Sequence, residues 1–322
     1  MLKSFPVIQQ HHVNIVLFFL GIQECLRKFK NSQQKEYLNT VNLLPFLDRY
    51  NRTKSYGKEN EFFVELSILS QESVDRNWEN HEKGFHLEQV FAPKQNINIK
   101  DILKEDVPLT VVSGIAGIGK STLVKQIVGG CTRGKIWKEF GRFSSSLIVI
   151  PVRCRDLNTL RIDETTDMFE VICKLHPDLS SLKKTDFQEI RQRTVLLLDG
   201  IDELIDVESV ISRNNDIKPT AKLLRDTLAN NNACCQWRVV FGRPKTSWMI
   251  QNLISEDLQQ DFFSVEVCGF DSKNVKLYIK KAFVKDTSKI KKLLMKIEIS
   301  QTLRAMSTVP AYLSSIPHID DR

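Results

Sequence analysis

The sequence has no C-x-x-C pair, and its seven cysteines (Cys25, Cys131, Cys154, Cys173, Cys234, Cys235 and Cys268) are odd in number. Both facts speak against a disulfide framework or a zinc site and fit free thiols in a reducing compartment. No apolar run of bilayer-spanning length stands out. Residues 13–22 are apolar but short, are interrupted by Asn14, follow His11-His12 and lack a small-residue cleavage site, so they read as a buried helix rather than a span or secretory signal. There is also no general charge imbalance. The net charge is +7, yet residues 271–304 hold ten Lys/Arg against three Asp/Glu, which leaves 36 of each sign elsewhere. The basic excess belongs to one C-terminal region and reads as a solvated face before an acidic-partner or nucleic-acid surface. With 42% hydrophobic and 26% charged residues in 322, the chain can fill one large or two modest globular domains.

The most informative stretch is residues 110–123, T-V-V-S-G-I-A-G-I-G-K-S-T-L. Gly114, Gly119, Lys120 and Ser121 satisfy G-x-x-x-x-G-K-[ST], with a β-branched run before them and an amphipathic segment after. Glycines let the backbone turn tightly enough for successive N–H groups to converge on an anion, and the following helix aims its positive end at the same place. The residues predicted to cradle phosphate are Gly114, Ile115, Ala116, Gly117, Ile118, Gly119, Lys120, Ser121 and Thr122. Lys120 supplies a point charge, and the Ser121 hydroxyl is a candidate Mg²⁺ ligand. An accidental glycine-rich turn would not need the strand before and the helix after.

Residues 194–204, T-V-L-L-L-D-G-I-D-E-L, supply the second half of a site. Four apolar residues make a central strand and put Asp199 at its C-terminal end, the ligand edge of an open α/β sheet, where a carboxylate can hold Mg²⁺. Gly200 turns the chain away, and Asp202 and Glu203 return two more carboxylates. Either could orient or deprotonate a water; Glu203 is preferred and Asp202 is the alternate. An acidic helix N-terminus is the plainer reading of the same pair. Arg243 follows a buried strand at 238–241 and is read as a γ-phosphate sensor, against the plainer reading of an ordinary strand-terminal arginine. Arg153 and Arg155, after a strand at 147–152, read as a salt-bridged strand end.

The remaining pattern predicts helices at 120–128 (stopped by Gly129-Gly130), 164–174, 187–191 and 219–230, with a last strand at 263–267. Asp271 or Ser272 is expected to cap a helix at 274–284, and Thr287 or Ser288 one running toward Met306, before a further element at Val309-Pro310. Upstream, Val16, Leu17, Leu20 and Leu26 can share a helical face, a second helix surrounds Pro45, and residues 51–60 resemble a linker. Residues 62–68 look extended, and 87–91 and 97–103 offer apolar anchors. The expected fold is α/β: a phosphate-loop NTPase whose parallel sheet lies between helices, followed by a small helical subdomain. The expected divisions are an N-terminal helical region at 1–60, the nucleotide-binding domain at 61–270 and the helical subdomain at 271–322.

In these motifs the chain resembles the NACHT family of signal-transduction ATPases found in NOD-like receptors. The resemblance rests on residues 114–123, D-G-I-D-E at 199–203, Gly242-Arg243-Pro244, C-G-F-D at 268–271 before Y-I-K-K-A-F, and the proline-bearing segment 306–313. It covers about residues 61–313. It implies an ATP/ADP switch with Mg²⁺. Phosphate contacts map onto Gly117, Gly119, Lys120, Ser121 and Thr122, metal ligation onto Ser121 and Asp199, sensing onto Arg243 and adenine packing onto Pro310. It also implies a cytoplasmic protein that releases ADP, self-associates or engages other signalling proteins, and hydrolyses ATP slowly. Gly242 stands where the family usually has serine or threonine. The chain ends soon after Pro310, before the family's winged helix and its ADP-sensing histidine, for which His318 is no substitute, and carries no leucine-rich repeats; a switch fragment, a truncated paralogue or a partial gene model is expected. A nucleotide-binding scaffold without turnover is the alternative. A metabolic phosphotransferase would need an arginine-rich lid, and a GTPase an N-K-x-D; neither is found.

Overall fold

The computed structural model describes residues 21–36, 66–70, 97, 99–103, 106–132, 147–211, 217–231, 234–282 and 287–315. The expected helix at Pro45, the linker at 51–60 and the anchors at 87–91 lie outside them. Among the described residues six strands form one sheet: β1 (Ser67–Ser70), β2 (Leu109–Ser113), β3 (Ile148–Arg153), β4 (Thr194–Asp199), β5 (Trp237–Gly242) and β6 (Phe263–Gly269), in the order β1-β6-β2-β5-β4-β3. Strands β6, β2, β5, β4 and β3 run parallel, and only β1 at the edge runs antiparallel, against β6.

Both faces of the sheet are covered, which is why its strands read as unbroken apolar runs. Along β4, Leu196 and Leu198 enter one core, and Val195 and Leu197 enter the other. Helix Lys120–Thr132 packs on the second face through Leu123, Val124, Ile127 and Val128. Helices Met168–Leu175, Lys184–Ile190, Pro219–Leu228 and Pro244–Asn252 contribute to the first. Strand β6 instead alternates buried Phe263, Val265 and Val267 with half-buried Ser264, Glu266 and Cys268. Arg238 on β5 is almost wholly buried, and its Nη1 donates to Thr227 O (3.3 Å) and Leu228 O (2.9 Å). There it places a cation at the negative end of helix Pro219–Leu228.

Several boundaries differ from the sequence expectation for local reasons. The helix after the phosphate loop runs through Gly129 and Gly130 to Thr132, because both glycines are buried and packing overrides their weak helix propensity. The helix expected at 164–174 starts at Met168, where the Asp167 side chain accepts from Glu170 N. Just before it, Asp163 accepts from the Thr165 and Thr166 N–H groups in a tight turn. The helix expected to reach Met306 is two, Thr287–Ile299 and Gln301–Ser307, divided at Ser300, whose hydroxyl accepts from Leu303 N. Asp271 is the cap used by helix Ser272–Ala282, accepting from Asn274 N at 2.7 Å. These helices and Pro310–Ser315 gather around a third apolar cluster of Phe270, Val275, Ile279, Leu293, Ile297 and Leu313.

Residues 21–36 are helical and join the main core. Ile22, Cys25, Leu26, Phe29 and Gln33 recur on one buried face. Gln33 Nε2 donates to Val149 O at 2.9 Å, and the Phe29 ring meets His176 edge-to-face at 5.3 Å. His176 Nε2 in turn lies 2.8 Å from Pro151 O. Both carbonyls belong to the outermost strand, β3.

Candidate functional site

Ser113 at the end of β2 pairs with Gly242 at the end of β5, and Gly114 N donates across to Gly242 O at 3.2 Å. The loop then turns through Gly117 (φ 74°) and Gly119 (φ 108°), angles that side chains resist, before helix Lys120–Thr132 begins. Ala116 and Gly117 are exposed, Ile115 is half-buried, and Ile118 is buried beneath the loop. Lys120 Nζ donates to Gly114 O (2.6 Å) and Ile115 O (3.1 Å), so the ammonium bridges its own loop. Ser121 and Thr122 open the helix on its exposed side.

Two strands away, Asp199 ends β4. Its Oδ1 accepts from Ser121 Oγ at 3.1 Å, joining residues 78 positions apart. Gly200 leaves the strand at φ 74°, with its N–H on Phe241 O (3.0 Å), and a Cβ there would lie 3.1 Å from Glu203 Cδ. The glutamate side chain therefore folds back over Gly200 toward the sheet edge. Asp202 turns the other way. Its Oδ1 accepts from Arg243 N (3.0 Å), and its Oδ2 lies 2.9 Å from Arg243 Nε. Gly242 is crowded, since a Cβ would meet Ile201 Cγ2 and Ser247 Oγ at 3.0 Å each, which explains the small residue there. Arg153 pairs with Asp156 at 2.7 Å, as a salt-bridged strand end should.

The charges of Lys120, Asp199, Asp202, Glu203 and Arg243 feel one another. Burial, more than any neighbour, raises the Asp199 carboxyl above its usual range; the Ser121 hydrogen bond opposes this and the Glu203 charge adds to it. Burial likewise lowers the Lys120 ammonium, and the Asp202 charge resists. Beneath them Cys154 is fully buried, and its thiol is pushed up by burial first and then by the charges of Asp199, Asp202 and Glu203. Hard oxygen donors at Ser121 and Asp199, in a place that disfavours a bare carboxylate, suit a small divalent cation.

The helical segment after Ser307 closes over the loop. Ala311 N donates to Gly117 O at 3.3 Å, and the Ala311 methyl occupies the space a Gly117 Cβ would need. Pro310, half-buried at the first position of helix Pro310–Ser315, is thereby brought beside the loop. Thr308 O accepts from Phe270 N at 2.7 Å and rests so closely on Gly269 (φ 87°) that no side chain fits. Leu66, just before β1, lies 2.9 Å from where a Gly119 Cβ would stand. The extended pattern at 62–68 marked that strand, but nothing in it singled out Leu66. Asn158 also escaped the sequence reading: its Nδ2 donates to Glu203 O (3.0 Å), and its Oδ1 accepts from Ile205 N (3.1 Å).

Comparison with known proteins agrees with this geometry. Human NLR family CARD domain-containing protein 3 is 24% identical over 233 residues, covering 70% of this chain and 20% of that protein. Mouse Protein NLRC3 is 25% identical over 234 residues, with the same coverage. The chain thus spans about a fifth of the length of the curated relatives it matches. A solved structure of the Aeropyrum pernix ORC2 protein in an ADP form aligns at TM-score 0.40 and 10% identity, over 64% of this chain and 55% of that one, a likeness too slight to bear on function. Among the described residues no helix is long and apolar enough to cross a membrane. The NACHT domain model matches residues 108–286, more than half of the chain and every motif from the glycine loop to the helix after β6, and the chain belongs to the NACHT domain family.

Proposed function

We propose that this chain is the nucleotide-operated part of a signalling switch, holding ATP or ADP with Mg²⁺ and hydrolysing ATP slowly to reset. The observation that carries the reading is the 3.1 Å hydrogen bond from Ser121 to Asp199, which brings a metal-binding hydroxyl and a buried carboxylate together beside a glycine loop. In this reading the loop N–H groups and the helix N-terminus bind phosphate, and Lys120 leaves the Gly114 and Ile115 carbonyls to neutralise it. Ser121 and Asp199 hold the cation, which would supply charge stabilisation at the phosphates. Asp202 is engaged by Arg243 through two contacts, so Glu203 is the group left to orient and deprotonate water. Arg243, tethered by Asp202 with its side chain still largely exposed, is the sensor. Pro310 would line the base side of the site.

In this reading the Ala311 N–H on the Gly117 carbonyl couples phosphate binding at the loop to the seating of helix Pro310–Ser315, the kind of contact a switch would use. The role proposed here, on the resemblance to NOD-like receptors, is innate-immune or cell-death signalling through nucleotide-controlled self-association in the cytoplasm. The test is binding of ATP and ADP with and without Mg²⁺. Lys120→Ala should weaken ATP binding at least ten-fold, and Asp199→Asn should abolish the Mg²⁺ dependence. Equal ATP affinity in wild type and Lys120→Ala would remove the assignment. ATP binding without turnover would favour the scaffold reading instead.

A further inference from the structure

The acidic turn after β4 is short. Residues Ile201–Glu203 form a single 3₁₀ turn, closed by Glu203 N on Gly200 O (2.8 Å) and a longer Leu204 N–Ile201 O bond of 3.4 Å. A turn this small does not fix its own side chains. It is held from one side where Asp202 binds Arg243. It is held from the other by Asn158, which follows the helical turn Cys154–Leu157 that leaves β3. The Asn158 amide donates to Glu203 O and accepts from Ile205 N, 3.0 and 3.1 Å, so it grips the backbone on both sides of buried Leu204. Donating to one residue and accepting from the residue two further on is how a β-strand neighbour pairs, and a side-chain amide mimics it with a separate donor and acceptor in one plane.

We propose that Asn158 is a positioning residue for Glu203, keeping its carboxylate folded over Gly200 at the sheet edge; this rests on Glu203 being the group that activates water. An aspartate at 158 would keep the bond from Ile205 N but set a carboxylate against the Glu203 carbonyl. A leucine would lose both bonds. Asn158 and its partners are solvent-exposed, so water replaces the lost bonds and the fold is hardly weakened. What changes is where Glu203 sits, and misplacement of a catalytic group by about 1 Å costs up to roughly a hundred-fold in rate.

The experiment uses the full chain with Mg²⁺, measuring single-turnover ATP hydrolysis, ADP affinity and Tm for wild type, Asn158→Leu, Asn158→Asp, Glu203→Gln and the Asn158→Leu/Glu203→Gln pair. Asn158→Leu and Asn158→Asp should each slow turnover about ten-fold or more, with ADP affinity held within about two-fold and Tm nearly unchanged. In the Glu203→Gln background Asn158→Leu should add nothing. An Asn158→Leu enzyme that turns over normally while Glu203→Gln is slow overturns the inference alone. So does an Asn158→Leu loss undiminished in the double variant, or one accompanied by a matching fall in ADP affinity or Tm. A wild-type chain without turnover, or an unaffected Glu203→Gln, overturns the Glu203 reading itself and this inference with it.

Discussion

Replacing Gly269 by alanine should unseat the helical segment from the phosphate loop. Gly269 sits at φ 87°, an angle that costs a residue with a Cβ about 1–2 kcal/mol. The added methyl would also overlap Thr308 O and come within 2.8 Å of Ile118 Cδ1. Ile118 can shift, but Thr308 O is backbone and already accepts from Phe270 N at 2.7 Å. Relief requires moving residues 308–311, which loses that bond (about 1 kcal/mol net) and adds overpacking of about 1–3 kcal/mol. The sum is about 3–6 kcal/mol, a large part of the roughly 5–15 kcal/mol that holds a typical domain together. Urea unfolding should show a lower midpoint at unchanged slope, and Tm should fall by roughly 10 °C. Nucleotide affinity should fall with it, since Ala311 would no longer meet Gly117. Gly21→Ala is the control: among the described residues nothing lies within 4 Å of the new methyl, residue 21 is helical, and about 0.5–1 kcal/mol of stabilisation is expected. A Gly269→Ala chain within about 0.5 kcal/mol of wild type would refute the packing argument.

Asp199→Asn should raise the Tm of the nucleotide-free protein at pH 7, because burial penalises the ionised carboxylate that the amide replaces, even as Mg²⁺-dependent binding is lost. A lower Tm would show that the Ser121 bond outweighs desolvation. Phe29→Ala should cost about 3–5 kcal/mol by opening a cavity in the main core, read by urea unfolding; a near-neutral effect would mean that residues 21–36 add nothing to the cooperative unit. Burial holds the His176 imidazole below its ordinary value of 6.5, so the unfolded chain binds a proton that the folded chain refuses. Stability should therefore be complete above pH 6.5 and decline as pH falls below it, and His176→Gln should flatten that part of the profile.

The sheet and its nucleotide edge were legible because their signals are local and periodic. The glycine loop, the apolar run ending in Asp199 and the strand before Arg243 each carry their own boundary, and the structure sets Ser121 and Asp199 together. The preference for Glu203 over Asp202 came from the sequence, but the partner of Asp202 did not, since Arg243 reaches back 41 residues to engage it. Gly129-Gly130 misled because propensity yields to burial, and Ser300 was missed because one hydroxyl cap divides a continuous apolar pattern. Asn158 and Leu66 act through contacts far apart in sequence, and a polar residue after a strand or a leucine before one carries no local sign of them. Of residues 1–60, Leu26 did fall on the buried face of a helix. What that helix covers could not be read, because Gln33 meets β3 across 116 residues.

The side chains of Gln33 and His176 occupy two carbonyls of a strand that, among the described residues, has no strand beyond it, and Pro151 on that strand has no N–H to offer. Such a rim is where an unprotected sheet recruits foreign backbone and grows into aggregates. Through Gln33, helix 21–36 satisfies one of these edge carbonyls, and a version lacking those residues is expected to lose solubility at rising concentration.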